Sequence, residues 1–172
     1  MKIRLSPRIE PAFVRAGWQV GRSVSVPLSE FCDAGIFPAA ASLLEEFHGL
    51  HVIPETRAGL ECGTSDVHFD PRLSEDQDDM ARRWMPIIKS RLFPMGEAGR
   101  GYLMLFVDEG GRVFETDAPS GGFCLVGESF SEAMETLLLG RRLRPLLLPG
   151  AEGILHYGHW IPANDARIYR PA

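Results

Sequence analysis

Cysteine is scarce in this chain of 172 residues, and the three cysteines that occur are far apart. They are Cys32, Cys62 and Cys124, and no Cys-x-x-Cys pair exists that could form a zinc knuckle or a redox centre. A chain of this size also needs no disulfide scaffold to close its core. We therefore expect three buried free thiols in a reducing cytoplasm.

Targeting and membrane-spanning segments are lacking as well. Residues 1–5 carry basic side chains, but no apolar segment follows them, so a secretory signal is not expected. The three leucines at 146–148 are far too few to cross a bilayer. These absences predict a soluble protein that stays in the compartment where it is made and has no membrane partner.

Concentrated positive charge is also missing. The chain contains 18 Lys and Arg residues against 23 Asp and Glu residues, a formal net charge of -5. Its basic clusters, Arg82-Arg83 and residues 141–144, are too short to follow a phosphate backbone, so nucleic acid is not the expected partner. A mildly acidic protein meets a basic protein favourably, because complementary charge speeds the encounter.

Motifs of common enzyme classes do not occur either. There is no Gly-x-Ser-x-Gly nucleophile elbow, and neither the Walker nor the dinucleotide-binding glycine spacing is present. Glu97 follows Gly96 at the end of a predicted strand, but one glutamate in a turn is not a catalytic set. We therefore predict a binding protein without a cofactor rather than an enzyme.

The patterns that are present predict one α+β domain with an ordinary hydrophobic share of 45%. Apolar spacing and capping boxes at 74–77 and 129–132 predict helices over 9–16, 39–48, 75–91 and 130–139. Shorter apolar segments predict strands at 50–53, 67–69, 102–107, 112–116 and 123–126. Regularity fades after Gly140, and residues 150–172 are typical of a loop or extended tail. We predict a domain over 1–140 and a C-terminal extension over 141–172.

One row of polar residues has the spacing of a possible metal site. Asp66, His68 and Asp70 would share one face of a strand, where they could hold a metal ion or orient a general base. The alternative is a solvent-facing polar row that alternates with buried Val67 and Phe69. No fourth ligand is identifiable, and the second interpretation is favoured.

Two histidine pairs have the i, i+3 spacing of helical metal ligands. His48 and His51 lie on either side of Gly49 at a predicted helix end, which breaks that geometry. His156 and His159 lie in the glycine-rich tail, where no helical pattern exists. Surface or capping histidines are expected at both places.

Three tryptophans remain, and each has a different expected role. Trp84 lies on the apolar stripe of its helix and is expected in the core. Trp18 follows a helix end and is expected to pin the first helix to the sheet. Trp160, in the C-terminal extension, is the candidate for contact with a partner, since tryptophan is frequent in binding hot spots.

The order of several short motifs resembles the third immunity-protein group of the SUKH superfamily, from about Arg8 to Gly140. The motifs are Ala16-Gly17-Trp18, Gly21-Arg22, Pro38-Ala39-Ala40, Glu46-Phe47-His48-Gly49-Leu50, Phe69-Asp70-Pro71, Phe93-Pro94-Met95-Gly96-Glu97, Asp108-Glu109-Gly110-Gly111-Arg112-Val113-Phe114, Gly127-Glu128-Ser129-Phe130, Glu132-Ala133 and Leu137-Leu138-Leu139-Gly140. The family commonly has Gly-Gly-Leu where this chain has His48-Gly49-Leu50.

The resemblance implies an α+β fold with a mostly antiparallel, curved sheet flanked by helices. It also implies a bacterial immunity protein of a polymorphic toxin system, made in the cytoplasm to bind and neutralise a cognate toxin domain, often a nuclease or a deaminase. The motif residues are structural, so the resemblance assigns no catalytic, cofactor or toxin-contact residue.

Three functions stay open at this point. The first is an immunity protein that occludes the active site of its toxin. The second is a general protein-interaction or regulatory adaptor on the same scaffold, since a fold does not determine a function. The third is a metal-dependent hydrolase that uses Asp66, His68 and Asp70.

Overall fold

The structure, a computed structural model, describes residues 3–26, 36–73, 78–117 and 122–171. The described residues form four α-helices, a seven-stranded antiparallel sheet whose strands follow one another in chain order, and a separate two-stranded sheet. The prediction of an α+β fold with an antiparallel sheet flanked by helices is confirmed. No helix in these ranges combines the length and the apolar character that a membrane crossing requires.

The first two helices lie where the apolar spacing predicts them. Helix α1 (Glu10–Arg15) and helix α2 (Pro38–Phe47) bury their apolar faces in the same cluster. Pro38 occupies the first turn of α2, where its missing N–H removes no helical hydrogen bond. Gly49 follows the end of α2 with a φ of 81°, which a glycine adopts without strain.

The next elements are short strands and a third helix. Strand β1 (His51–Val52) pairs with strand β2 (Val67–His68), and helix α3 (Asp78–Ile88) follows. Helix α3 continues past Pro86 but ends before Arg91, because Lys89 has a φ of 55° and leaves the helical conformation. The predicted capping box at 74–77 lies outside the described residues.

The centre of the sheet is a meander of four strands. They are β3 (Leu92–Ala98), β4 (Leu103–Asp108), β5 (Val113–Asp117) and β6 (Gly122–Gly127). Strand β3 tolerates Pro94 because its register shifts by a bulge between Pro94 and Gly96. In the turn between β4 and β5, the Asp108 carboxylate accepts the backbone N–H groups of Gly110 and Arg112. Gly111 has a φ of 85° in this tight turn, which a glycine adopts without strain.

Helix α4 (Phe130–Leu138) begins with the predicted cap. The Ser129 hydroxyl accepts the Glu132 N–H at 3.3 Å, while the Glu132 carboxylate accepts the N–H of Glu128, one residue before the cap. Gly140 follows the helix with a φ of 64°, and a Cβ there would lie 2.4 Å from the carbonyl oxygen of Cys62. Only glycine therefore lets the loop at 59–62 reach the end of α4, where the N–H groups of Glu61 and Cys62 donate to the Gly140 carbonyl.

The segment after Gly140 is more regular than its sequence indicates. Strand β7 (Arg144–Pro145) pairs with β6 at the edge of the large sheet, and β8 (Gly153–His156) pairs with β9 (His159–Pro162) to form a hairpin. The expectation of a loop or extended tail over 150–172 is therefore wrong for the hairpin. Its turn escapes the usual signals because Tyr157, with a φ of 48°, takes a position where asparagine or glycine is typical.

The sheet is covered on both faces by apolar side chains. One cluster joins α1, α2 and α4 to the sheet and contains Trp18, and the other joins α3 to it and contains Trp84. Both tryptophans are buried, as predicted. Leu146 and Tyr169 also belong to the second cluster, so residues beyond Gly140 complete the cover of this face. The domain boundary at Gly140 stays a prediction.

Candidate functional site

The hairpin of β8 and β9 has one packed face and one exposed face, because side chains alternate along each strand. Ile154 pairs with Ile161 on the inner face, and Ile161 is 3% exposed. Leu155 pairs with Trp160 on the outer face, where the two side chains are 68% and 61% exposed. A large aromatic and a large aliphatic side chain thus lie side by side in solvent.

Trp160 is held in place by the backbone of its own hairpin. Gly153 has no side chain, and a Cβ at that position would lie 2.7 Å from the indole ring of Trp160. The ring therefore covers the glycine and has fewer conformations open to it. A side chain ordered in advance loses less entropy when a partner binds, which favours affinity.

The turn of the hairpin is anchored to the body of the protein. The Tyr157 hydroxyl oxygen accepts the N–H of Leu143 at 3.3 Å and lies 3.9 Å from the Cys62 sulfur. The Nε2 atom of His156 hydrogen-bonds the Leu143 carbonyl at 3.2 Å. Burial raises the pKa of the Tyr157 phenol and lowers the pKa of His156, so both side chains are neutral at pH 7. These contacts fix the position of the outer face.

The family model of the SUKH-3 immunity proteins matches residues 5–140. The chain belongs to the SUKH-3 immunity protein family. This membership supports an immunity role and implies a protein partner, and it confirms the resemblance read from the motifs. No curated protein and no solved structure matches the chain. The hairpin that carries Trp160 lies beyond the matched residues of this SUKH-3 protein.

The three residues of the metal-site hypothesis contact different partners. Asp66 binds Nε2 of His51 at 2.7 Å and accepts the backbone N–H of Arg100, whereas Asp70 points to Arg72. Hydrogen bonds from Arg72 hold the pKa of Asp70 below its ordinary value. Val67 and Phe69 are buried while the three polar residues are partly exposed, which confirms the interpretation as a polar row that alternates with buried side chains. The ranges that the structure describes contain no group of three His, Cys, Asp or Glu side chains suited to a metal ion.

The two histidine pairs are not helical pairs either. His48 lies at the end of α2, while the ring of His51 lies on β1, 5.2 Å from that of His68. His156 and His159 face each other across the hairpin turn. His51 and His156 instead make local hydrogen bonds, to Asp66 and to the Leu143 carbonyl.

The remaining residues from the sequence analysis lie in ordinary surroundings. Cys124 is a buried thiol outside any disulfide, as expected, but Cys62 is only half-buried, and Cys32 lies outside the described residues. Glu97 is half-buried on β3, opposite His68 of β2. Within the described ranges, Glu97, Cys62 and Cys124 lie on different elements and do not form one cluster.

Sequence reasoning missed Leu155 as the neighbour of Trp160. The signal was present but weak. Along residues 153–156 and 159–162, successive side chains point to opposite faces of the hairpin. A two-residue turn between the strands places Leu155 opposite Trp160 on the same face. Their partnership follows once the hairpin register is known.

Proposed function

We propose that this SUKH-3 protein binds a cognate toxin domain and neutralises it by covering its active site. The exposed pair of Leu155 and Trp160 is the contact that carries the proposal. The family implies a protein partner, and this surface exposes a tryptophan, a residue type that is enriched in binding hot spots. In this proposal, residues 1–140 form the family domain, and the extension over 141–172 supplies the contact.

Three properties of the hairpin support this contact. Leu155 and Trp160 present adjoining apolar surface, the Trp160 ring is pre-ordered over Gly153, and the anchored turn keeps the hairpin against the body. The net charge of -5 would also attract a basic toxin domain before the two surfaces meet. The protein would act in the cytoplasm of a bacterium, where the toxin would otherwise reach its target.

The proposal is tested with the toxin domain encoded beside this chain. Co-expression should restore growth of cells that make the toxin, and the purified proteins should form a stable complex. Absence of both effects would rule out the proposed function.

The contact is tested by Trp160→Ala, with Tyr102→Ala as the matched control. Tyr102 is 68% exposed and lies in the turn between β3 and β4, so it is not part of the hairpin. We expect Trp160→Ala to weaken the complex about 30-fold or more, the effect of losing a hot-spot residue, and Tyr102→Ala to change the affinity less than about threefold. Unchanged affinity of Trp160→Ala, with circular dichroism showing both variants folded, would remove the hairpin from the interface.

A further inference from the structure

A cavity of about 370 Å³ lies between the hairpin and the segment that leads into β7. Three of its lining residues, Arg142, Arg144 and Arg167, carry positive charge, and one, Glu61, carries negative charge. The rest of its lining includes Leu143, Tyr157 and Ile161. An acidic protein thus contains a local site with an excess of positive charge.

Arg142 supplies the most available charge in this cavity. Its guanidinium group lies over the ring of Tyr157 at 5.6 Å and forms no ion pair with any residue in the described ranges. Its backbone N–H donates to the Glu61 carboxylate at 2.7 Å, which holds that acidic group at the cavity wall. The guanidinium edge therefore keeps its hydrogen-bond donors for a ligand.

Arg144 and Arg167 differ in how far their charges are already compensated. Arg144 lies over the Tyr169 ring at 4.9 Å and is 3.9 Å from Glu128, a loose and exposed ion pair of little strength. Arg167, by contrast, donates two hydrogen bonds to the Asp165 carboxylate, at 2.9 and 2.7 Å. Arg142 and Arg144 therefore form the part of the site that an anion would neutralise.

His156 also lines the cavity and adds no charge at neutral pH. Burial lowers its pKa, and the charges of Arg142 and Arg167 lower it further, against the opposing hydrogen bond to Leu143. The positive charges of Arg142 and Arg167 therefore act on a side chain that lines the cavity.

We propose that this cavity binds the carboxylate of an acidic side chain that the toxin domain inserts beside the hairpin. A guanidinium group presents parallel donors that match the two oxygens of a carboxylate. The walls formed by Leu143, Tyr157 and Ile161 exclude some water, which strengthens the ion pair. The inference rests on the proposed function, because the hairpin that forms one cavity wall also carries Trp160.

A protein side chain suits this site because the cavity and the exposed pair belong to the same hairpin. Tyr157, His159 and Ile161 line the cavity, while Leu155 and Trp160 occupy the opposite face. A partner that closes around the hairpin would reach both faces at once. One buried charge pair beside an apolar anchor would fix the register of the complex.

The cavity is tested on the full chain with two small peptides. Acetyl-Glu-Glu-amide should bind saturably with a Kd on the order of millimolar, and acetyl-Gln-Gln-amide should bind at least tenfold more weakly. The double variant Arg142→Gln/Arg144→Gln should lose at least tenfold in affinity for the acidic peptide. The control Arg4→Gln/Arg83→Gln, which removes the same charge from exposed positions elsewhere, should keep it. NMR spectra would report both binding and the folded state.

Three results would overturn the proposal. The first is equal affinity of the protein for the two peptides. The second is an equal loss of affinity for the acidic peptide in both double variants. The third is saturation of the cavity by inorganic phosphate when the acidic peptide does not bind. The Arg142→Gln/Arg144→Gln variant should also weaken the toxin complex. Peptide binding without any toxin complex would reject the proposed function alone. A toxin complex that needs Trp160, together with absent peptide binding, would reject the cavity alone.

Discussion

Residues 5–140, which match the family, and residues 141–171, which follow them, complete the same sheet in different ways. In the first region, the aromatic rings of Phe13, Phe47, Phe69 and Phe130 lie 4.5–6.2 Å apart and come from three helices and the residue after β2. The second region contributes separate anchors such as Leu146 and Tyr169 and leaves Leu155 and Trp160 in solvent. The first region supplies most of the buried side chains, while the second adds a few of them and supports an exposed apolar pair.

The largest effect should come from breaking the aromatic group of the first region. Phe47 is fully buried and stacks on Phe130 at 4.5 Å. Phe47→Ala should lower the free energy of unfolding by ~3–5 kcal/mol, because the cavity left behind cannot be filled by its rigid neighbours. Urea unfolding followed by circular dichroism would measure the change. A loss below about 1 kcal/mol would show that this cluster does not dominate stability.

The second-largest expected effect tests whether the second region unfolds together with the first. Tyr169 packs near Phe114, and its hydroxyl oxygen accepts a hydrogen bond from Arg112 at 3.0 Å. Tyr169→Ala should cost about 3 kcal/mol in one cooperative transition, whereas Tyr169→Phe should cost about 1 kcal/mol for the lost hydrogen bond. Urea unfolding should be followed by tryptophan fluorescence and by circular dichroism. Two separate transitions would show that residues 141–172 are an independent extension.

A smaller effect tests local order within the first region. Ser129→Ala removes the side-chain oxygen that accepts the Glu132 N–H at the start of α4. The free energy of unfolding should fall by about 1 kcal/mol, as for other lost helix caps. Thermal unfolding would measure the loss. Ser23→Ala, at an exposed position outside the helices, is the control and should leave stability unchanged.

The smallest effect is a pH dependence in the second region. Burial lowers the pKa of His156 in the folded protein, so the unfolded chain binds its proton more readily. The stability that depends on the neutral ring is complete above the ordinary pKa of 6.5 and is lost as pH falls from there through the folded pKa. His156→Gln should make the free energy of unfolding depend less steeply on pH between pH 7 and about 5. Identical slopes would show that His156 does not couple to folding.

The two regions also differ in how well they were predicted. The first helices follow from local signals, such as the spacing of Phe13 and the placement of Pro38 and Gly49. The spacing of Asp66, His68 and Asp70 indicates a shared face but not the partners of these side chains. His51, which binds Asp66, lies on the paired strand β1, which period two alone cannot reveal. The hairpin was missed because its turn uses Tyr157 with a positive φ, a choice that only the surrounding contacts support.

The sequence by itself determined the α+β class, most helix positions, the burial of Trp18 and Trp84, and the family, because apolar spacing, caps and motif order act over short stretches of chain. Tertiary structure alone decided that Leu155 lies beside Trp160 and that Arg142 and Arg167 share a cavity with Glu61. Glu61 and Arg142 are 81 positions apart and meet through a hydrogen bond at the end of α4. Contacts at such separation depend on how whole elements pack, and no local pattern encodes them.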